Sequence, residues 1–233
     1  MTMRTGNHCA LTGVILGPAL LVMGLCFSAT GAEPPGKQIP DAARIMVIRA
    51  EKAFSAGKLK EAEEDYKEAV KIAPNSPRLL VSLAAVETRL GKISESRNLL
   101  RDALGMDLDN GAAWLLMGMN ALEEKLDEEA VASLIQATLH DPGNPRAHNY
   151  LGIAAGHRGW NDVSEKELRK AVELDPAYAD ANFNLAVFYL GRTPPLAELA
   201  RRHYQRALDL GIRRDPAVES QLNKAASNPV TPP

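Results

Sequence analysis

Five histidines, two cysteines and one dense acidic run are where chemistry would first be sought in this 233-residue sequence. His148 and His157 are nine residues apart. On one helix that is two and a half turns, so they point to opposite sides, about 13 Å apart along the axis, and cannot share a metal ion. His140 closes a helical stretch, where a cation suits the dipole. His203 lies within the basic run Arg201–Arg206, which reads as a solvated face. The run Glu123, Glu124, Asp127, Glu128, Glu129 has the composition for calcium or acid–base work. It falls at a turn and helix start, where carboxylates favour the dipole, and reads as hydrated surface. No Gly-x-Ser-x-Gly elbow and no phosphate loop occur. The residues therefore give no candidate for catalysis, metal or cofactor, and the expectation is a non-enzymatic chain.

Composition narrows the partners. Hydrophobic residues make up 45%, charged residues 24% and aromatics 5%, with 27 basic against 29 acidic side chains. A net charge of -2 leaves no basic stripe or arm for DNA or RNA. The small Ala and Gly residues suit helices packed closely.

The elements that would position a site begin after a segment of different character. Met1–Ala32 carries Arg4 near its start, no further charge until Glu33, an apolar run Val14–Phe27 and a small-residue end, Ser28–Ala32. These are the three parts of a secretory signal, with cleavage placed after Ala32. The competing readings are a retained anchor, since Ala10–Ala29 is just long enough to span a bilayer, or a lipid-modified Cys26. Each takes the protein out of the cytoplasm, to the periplasm or a membrane-associated envelope site. Cys9 and Cys26 both fall in this segment, so a cleaved chain has no cysteine, which fits an oxidising compartment. Residues 33–42 are a proline-rich spacer.

From Ala43 the sequence repeats. Small residues recur as Ala50, Ala84, Gly118, Gly152 and Ala186, every step being 34. A second series, Ala69, Ala103, Ala137, Ala171 and Ala207, keeps the step until its last, which is 36. The two extra residues fall in the turn Gly191–Pro195, where a loop absorbs them cheaply. Apolar residues at one-turn spacing flank each small residue, so each unit reads as two amphipathic helices with a break. Such a unit cannot bury its apolar face alone, and copies must stack. The five units run 43–76, 77–110, 111–144, 145–178 and 179–212. Asp215-Pro216 then caps a short helix within 213–226 that covers the last unit, and 227–233, rich in proline, reads as a disordered tail.

These residues resemble the tetratricopeptide repeat family. Ala50, Ala62, Tyr66, Ala69 and Pro74 meet its signature in the first unit; Trp114, Gly118, Ala121, Ala130, Ala137 and Pro142 meet it in the third. Glu87 and Arg49 depart from it at normally apolar positions, and Leu108 replaces a closing proline. Leu126, Trp160 and Leu196 lie one position before an aromatic slot and are expected to fill its pocket. The resemblance implies an all-α, right-handed α-solenoid of five tandem helix-turn-helix repeats plus a C-terminal capping helix.

The family's groove positions fall on Arg78, Val81, Ala85, Arg89, Leu115, Met119, Leu122, Arg146, Asn149, Ile153, His157, Phe183 and Val187. Leu115, Met119, Leu122, Ile153 and Phe183 make its middle apolar, although Met117, Leu151 and Leu185 already supply a packing side to the same helices. A helix apolar on both sides implies either a thicker core or an apolar groove. The expectation is a groove taking an apolar segment of another protein, rimmed by Arg78, Arg89 and Arg146. The alternatives are self-association through the groove or an array end, giving a homo-oligomer, or service as an accessory subunit of a membrane or secretion assembly. The Lys and Asn clamp that some relatives use for chaperone tails is absent: Val47, Glu51, Leu115 and Met119 stand there.

Overall fold

The structure is a computed structural model that describes residues 39–227. The expected signal or anchor over 1–32, most of the spacer and the tail beyond Ser227 lie outside the described residues. Among the described residues the chain is all helix. α1 (Asp41–Ser55) and α2 (Leu59–Ile72) form the first hairpin, α3 (Pro77–Arg89) and α4 (Ile93–Met106) the second. α5 (Gly111–Glu123) with α6 (Asp127–His140), and α7 (Pro145–His157) with α8 (Asn161–Leu174), follow. α9 (Ala179–Leu190) with α10 (Ala197–Asp209) completes the array, and α11 (Pro216–Ser227) lies against α9 and α10. No helix of the described residues is long and apolar enough to cross a membrane.

One hydrogen bond shows how the repeat is made. The amide of Lys58 donates to Ala53 O, Lys92 to Glu87 O, Leu126 to Ala121 O and Trp160 to Ala155 O, at 2.8–2.9 Å. In the last hairpin the equivalent bond runs from Leu196 to Tyr189 O at 3.0 Å, across the two extra residues. The insertion bulges outward and leaves the hairpin geometry intact. The turn needs a residue in the left-handed region. Gly57, Gly91 and Gly159 supply it at φ of 73° to 75°, and Lys125 does so at 60° despite its side chain.

The small-residue ladder sets the distance between the two helices of a hairpin. Ala50, Ala84, Ala186, Ala69, Ala103, Ala137, Ala171 and Ala207 are all fully buried. At Gly118 an added Cβ would lie 2.5 Å from Leu134 Cγ, and at Gly152 2.6 Å from Leu168 Cγ. Helices α5 and α7 thus approach their partners more closely than an alanine allows. Asn110 caps α5 by accepting from the Ala113 amide, Asn144 caps α7, and Asp215 caps α11 by accepting from Ala217 and Val218. Val218 and Leu222 of α11 are buried and join the core around Leu185, Tyr189 and Tyr204, so the last repeat is covered.

Curvature follows from which helices meet. Each helix packs on its hairpin partner and on the next helix in sequence. Beyond that, α3, α5, α7 and α9 also pack on one another in succession, whereas no two of α2, α4, α6, α8 and α10 pack as closely. First helices are therefore on the inner, concave side. One expectation needs correcting. Leu126, Trp160 and Leu196 do not fill the aromatic slot but stay 39–48% exposed. Each occupies the N-cap, with φ near -90° and ψ near 67°, before the first helical turn begins to aim side chains at the neighbour.

Candidate functional site

The inner face is built by α3, α5, α7 and α9, and the structure divides the expected groove residues into two groups. Val81, Leu115, Leu122, Asn149, Ile153 and Phe183 are buried, none more than 6% exposed. Leu115, Leu122 and Ile153 belong to one core cluster around α5, α6 and α7, and Phe183 packs its ring 6.2 Å from that of Tyr204. The expected apolar floor is thus a second layer of core. Consecutive first helices close on each other and bury the side that one helix alone would leave open. The accessible part of the face consists of Ala85, Arg89, Met119, Arg146, His157 and Val187, all exposed or half-buried. Arg78 is half-buried and already engaged.

Arg146 is the centre of what remains accessible. One of its guanidinium nitrogens lies 3.9 Å from Met119 Sδ on the preceding repeat. Its charge also acts on Tyr150 one turn along α7, and on Tyr178 and Asp180 at the start of α9. Burial pushes both phenols and the Asp180 carboxyl upward, with the Arg146 charge opposing it in each case. Beneath them Asn149 Oδ1 accepts from Asn184 Nδ2 at 3.0 Å, and both amides are buried. The result is a cation among two phenols, a carboxyl and a thioether, resting on a fixed amide pair. Tyr150 and Tyr178 were not among the expected groove residues. The available signal was the four-residue step from Arg146 to Tyr150, which places both on one side of α7.

The edge formed by the hairpin turns is held by polar contacts between repeats. Arg97 lies 3.0 Å from Glu124 and 2.6 Å from Glu129; Arg158 lies 2.6 Å from Glu128; His157 Nδ1 lies 3.1 Å from Asp127. The acidic run around Glu123–Glu129, read as hydrated surface, therefore ties its repeat to both neighbours. Toward the first repeat, the Arg89 guanidinium stacks 4.9 Å over the Phe54 ring. His203, read as part of a solvated face, is half-buried; its Nδ1 sits 3.2 Å from Asn182 Oδ1, and burial lowers its pKa. Among the described residues no group of three His, Cys, Asp or Glu is placed to hold a metal ion.

Hairpins stacked in register, with first helices lining a concave side, define an all-α helical-repeat array. The comparisons agree. The tetratricopeptide repeat family matches residues 53–117. Human (Homo sapiens) tetratricopeptide repeat protein 7A is 29% identical over 106 residues, which is 46% of this chain but 12% of that protein. The Pseudomonas aeruginosa pilF structure superimposes with a TM-score of 0.70 at 19% identity, covering 80% of this chain and 85% of its own. YrrB, described as a TPR protein with an unusual peptide-binding site, gives 0.57 at 20% identity, covering 78% and 92%. At these identities the structural likeness speaks for the fold, and the family match speaks for tetratricopeptide repeats over residues 53–117.

Proposed function

We propose that this chain is a non-enzymatic scaffold of the cell envelope that holds a segment of another protein against the concave face of its third to fifth repeats. The observation that carries the reading is the Arg146 cluster. It is where a half-buried thioether, Met119, and two half-buried tyrosine rings lie beside the exposed guanidinium of Arg146. A segment with an apolar side chain beside a carboxylate or a free backbone carbonyl would satisfy both. Arg89 supplies a second accessible cation nearer the first repeat, and His157 and Val187 border the surface. The fixed amide pair below, and the contacts between repeats along the hairpin-turn edge, hold the surface in one shape, so that binding costs little ordering.

Placement in the envelope rests on the charge-poor apolar run within Met1–Ala32 and on the confinement of both cysteines to it. Sequencing the mature amino terminus tests this; a chain beginning at Met1 in the cytoplasmic fraction would overturn it. For the groove, a photoreactive phenylalanine analogue is placed at Met119 and, separately, at Leu139, which is exposed on α6. Irradiated cells are expected to yield a discrete heavier species from position 119 alone. The same species from both positions, or from 139 alone, would overturn the placement.

A further inference from the structure

The two ends of the array differ, and the difference points to a partner. The C-terminal end is covered by α11, which buries Val218 and Leu222 and turns the exposed Ser220 and Lys224 outward. The N-terminal end is α1. Ile45 there is 65% exposed. The residues one, two, three and four repeats later, Leu79, Ala113, Ala147 and Ala181, are at most 1% exposed, because each packs against the preceding hairpin. Ile48, one turn on, is likewise 65% exposed. A solenoid end left to face water carries polar residues on its outer helix. This one carries two isoleucines.

Asp41, Ile45, Ile48 and Lys52 follow one another at steps of four, three and four, the spacing of a helix–helix seam, and all four are exposed. Their order is acid, apolar, apolar, base. Turned end for end, the stripe becomes base, apolar, apolar, acid. An antiparallel second copy, related by a two-fold axis through the middle of α1, therefore sets Ile45 against Ile48 of the other chain and Asp41 against its Lys52. A parallel pairing would oppose like charges at both ends. Arg44 and Arg49, which flank the stripe and would also face each other, each hold a carboxylate of their own chain: Asp41 at 3.1 Å and Asp65 at 2.7 Å. We infer that the open end of α1 is a self-complementary surface through which two copies of this chain associate, antiparallel and isologous. The polar outer side of α11 offers no complement to the isoleucines, so the association closes at two. A stripe about three turns long buries less than the roughly 1,200 Å² of a stable interface, so the dimer is weak and forms where the local concentration is high. The inference does not depend on the groove reading.

Sedimentation equilibrium of the protein as recovered from cells, over a wide concentration range, tests it. A monomer–dimer equilibrium is expected, with no larger species. Ile45→Glu with Ile48→Glu should weaken association by about tenfold or more while the helical circular dichroism stays unchanged, since both positions are exposed. Lys52→Asp alone should weaken it, and Asp41→Lys with Lys52→Asp together should restore it, because the exchanged charges again face each other. A protein monomeric throughout would overturn the inference. In that case, protection of an Ile45→Cys thiol from maleimide would assign the surface to the chain's own preceding segment. A dimer indifferent to the glutamates, or one that the double charge exchange fails to restore, would overturn it as well.

Discussion

His148 Nδ1 lies 2.6 Å from Glu167 Oε2, joining α7 to α8 across a buried contact. The other ring nitrogen lies 3.0 Å from Pro142 O. Both neighbours offer acceptor oxygens, so the site favours the doubly protonated imidazolium. The bond to Glu167 raises the His148 pKa above 6.5, and the same bond holds Glu167 below 4.5. The histidine's contribution to stability is complete below 6.5 and is lost as pH rises through its raised value. That of Glu167 is present above 4.5 and is lost as pH falls through its lowered value. Thermal melts should therefore fall on the alkaline side of pH 6.5. Glu167→Gln should flatten that slope and destabilise by about 1.5–3 kcal/mol at pH 6, the range for losing a hydrogen bond to a charged group. A slope unchanged in the variant would contradict the assignment.

Glycine is required at the close approaches of α5 and α7. Gly152→Ala adds a methyl 2.6 Å from Leu168 Cγ, and Gly118→Ala one 2.5 Å from Leu134 Cγ. Alanine favours a helix by about 1 kcal/mol over glycine, but overpacking costs about 1–3 kcal/mol, so both variants should be less stable. Urea denaturation measures the sign. The same change at Gly105, whose added Cβ would meet nothing within 4 Å, should be neutral or stabilising.

Lys125 holds the turn place that glycine holds at 57, 91 and 159, with φ of 60°. Lys125→Gly removes the left-handed strain and should raise stability by about 0.5–1 kcal/mol, read as a shift in the urea midpoint. A destabilised variant would show that the lysine side chain contributes more than the strain removes.

Glu87 stands where the repeat ordinarily has an apolar residue. It is 4% exposed, its Oε1 lies 4.0 Å from Lys67 Nζ, and its Oε2 has no hydrogen-bond partner. Burial raises its pKa, so the ionised form destabilises the fold as pH rises through that value. Glu87→Leu should stabilise the protein by about 1–2 kcal/mol at pH 7, and the gain should shrink on acidification as the wild-type carboxyl takes up its proton. Glu63 in the same cluster behaves oppositely: its bonds to Lys67 and Lys92 lower its pKa.

The ladder of small residues was legible because it marks where two helices of one hairpin approach, and that constraint is local and recurs every 34 residues. The accessible surface was harder to read. The periodicity of α5 and α7 shows an apolar second side at Leu115, Leu122 and Ile153, but a single helix does not say what covers it. Contact between successive first helices does, and that depends on the curvature of the whole stack. The pairings of Arg97 with Glu129 and of Arg158 with Glu128 span 32 and 30 positions, just off the repeat period, so no spacing within one unit announces them. Tyr178 escaped notice because it lies at the N-cap of α9, outside the helical face on which the groove positions were counted.

The central claim is that partners bind on the inner face around Arg146. Peptides selected from a random display library against the whole protein provide a probe, and amide hydrogen exchange with and without such a peptide locates its contact. Slowed exchange concentrated on α5, α7 and α9, together with at least tenfold weaker binding by Arg146→Glu with Tyr150→Ala, is the expected result. Protection confined to α4, α6 and α8, with binding unaffected by those substitutions, would contradict it.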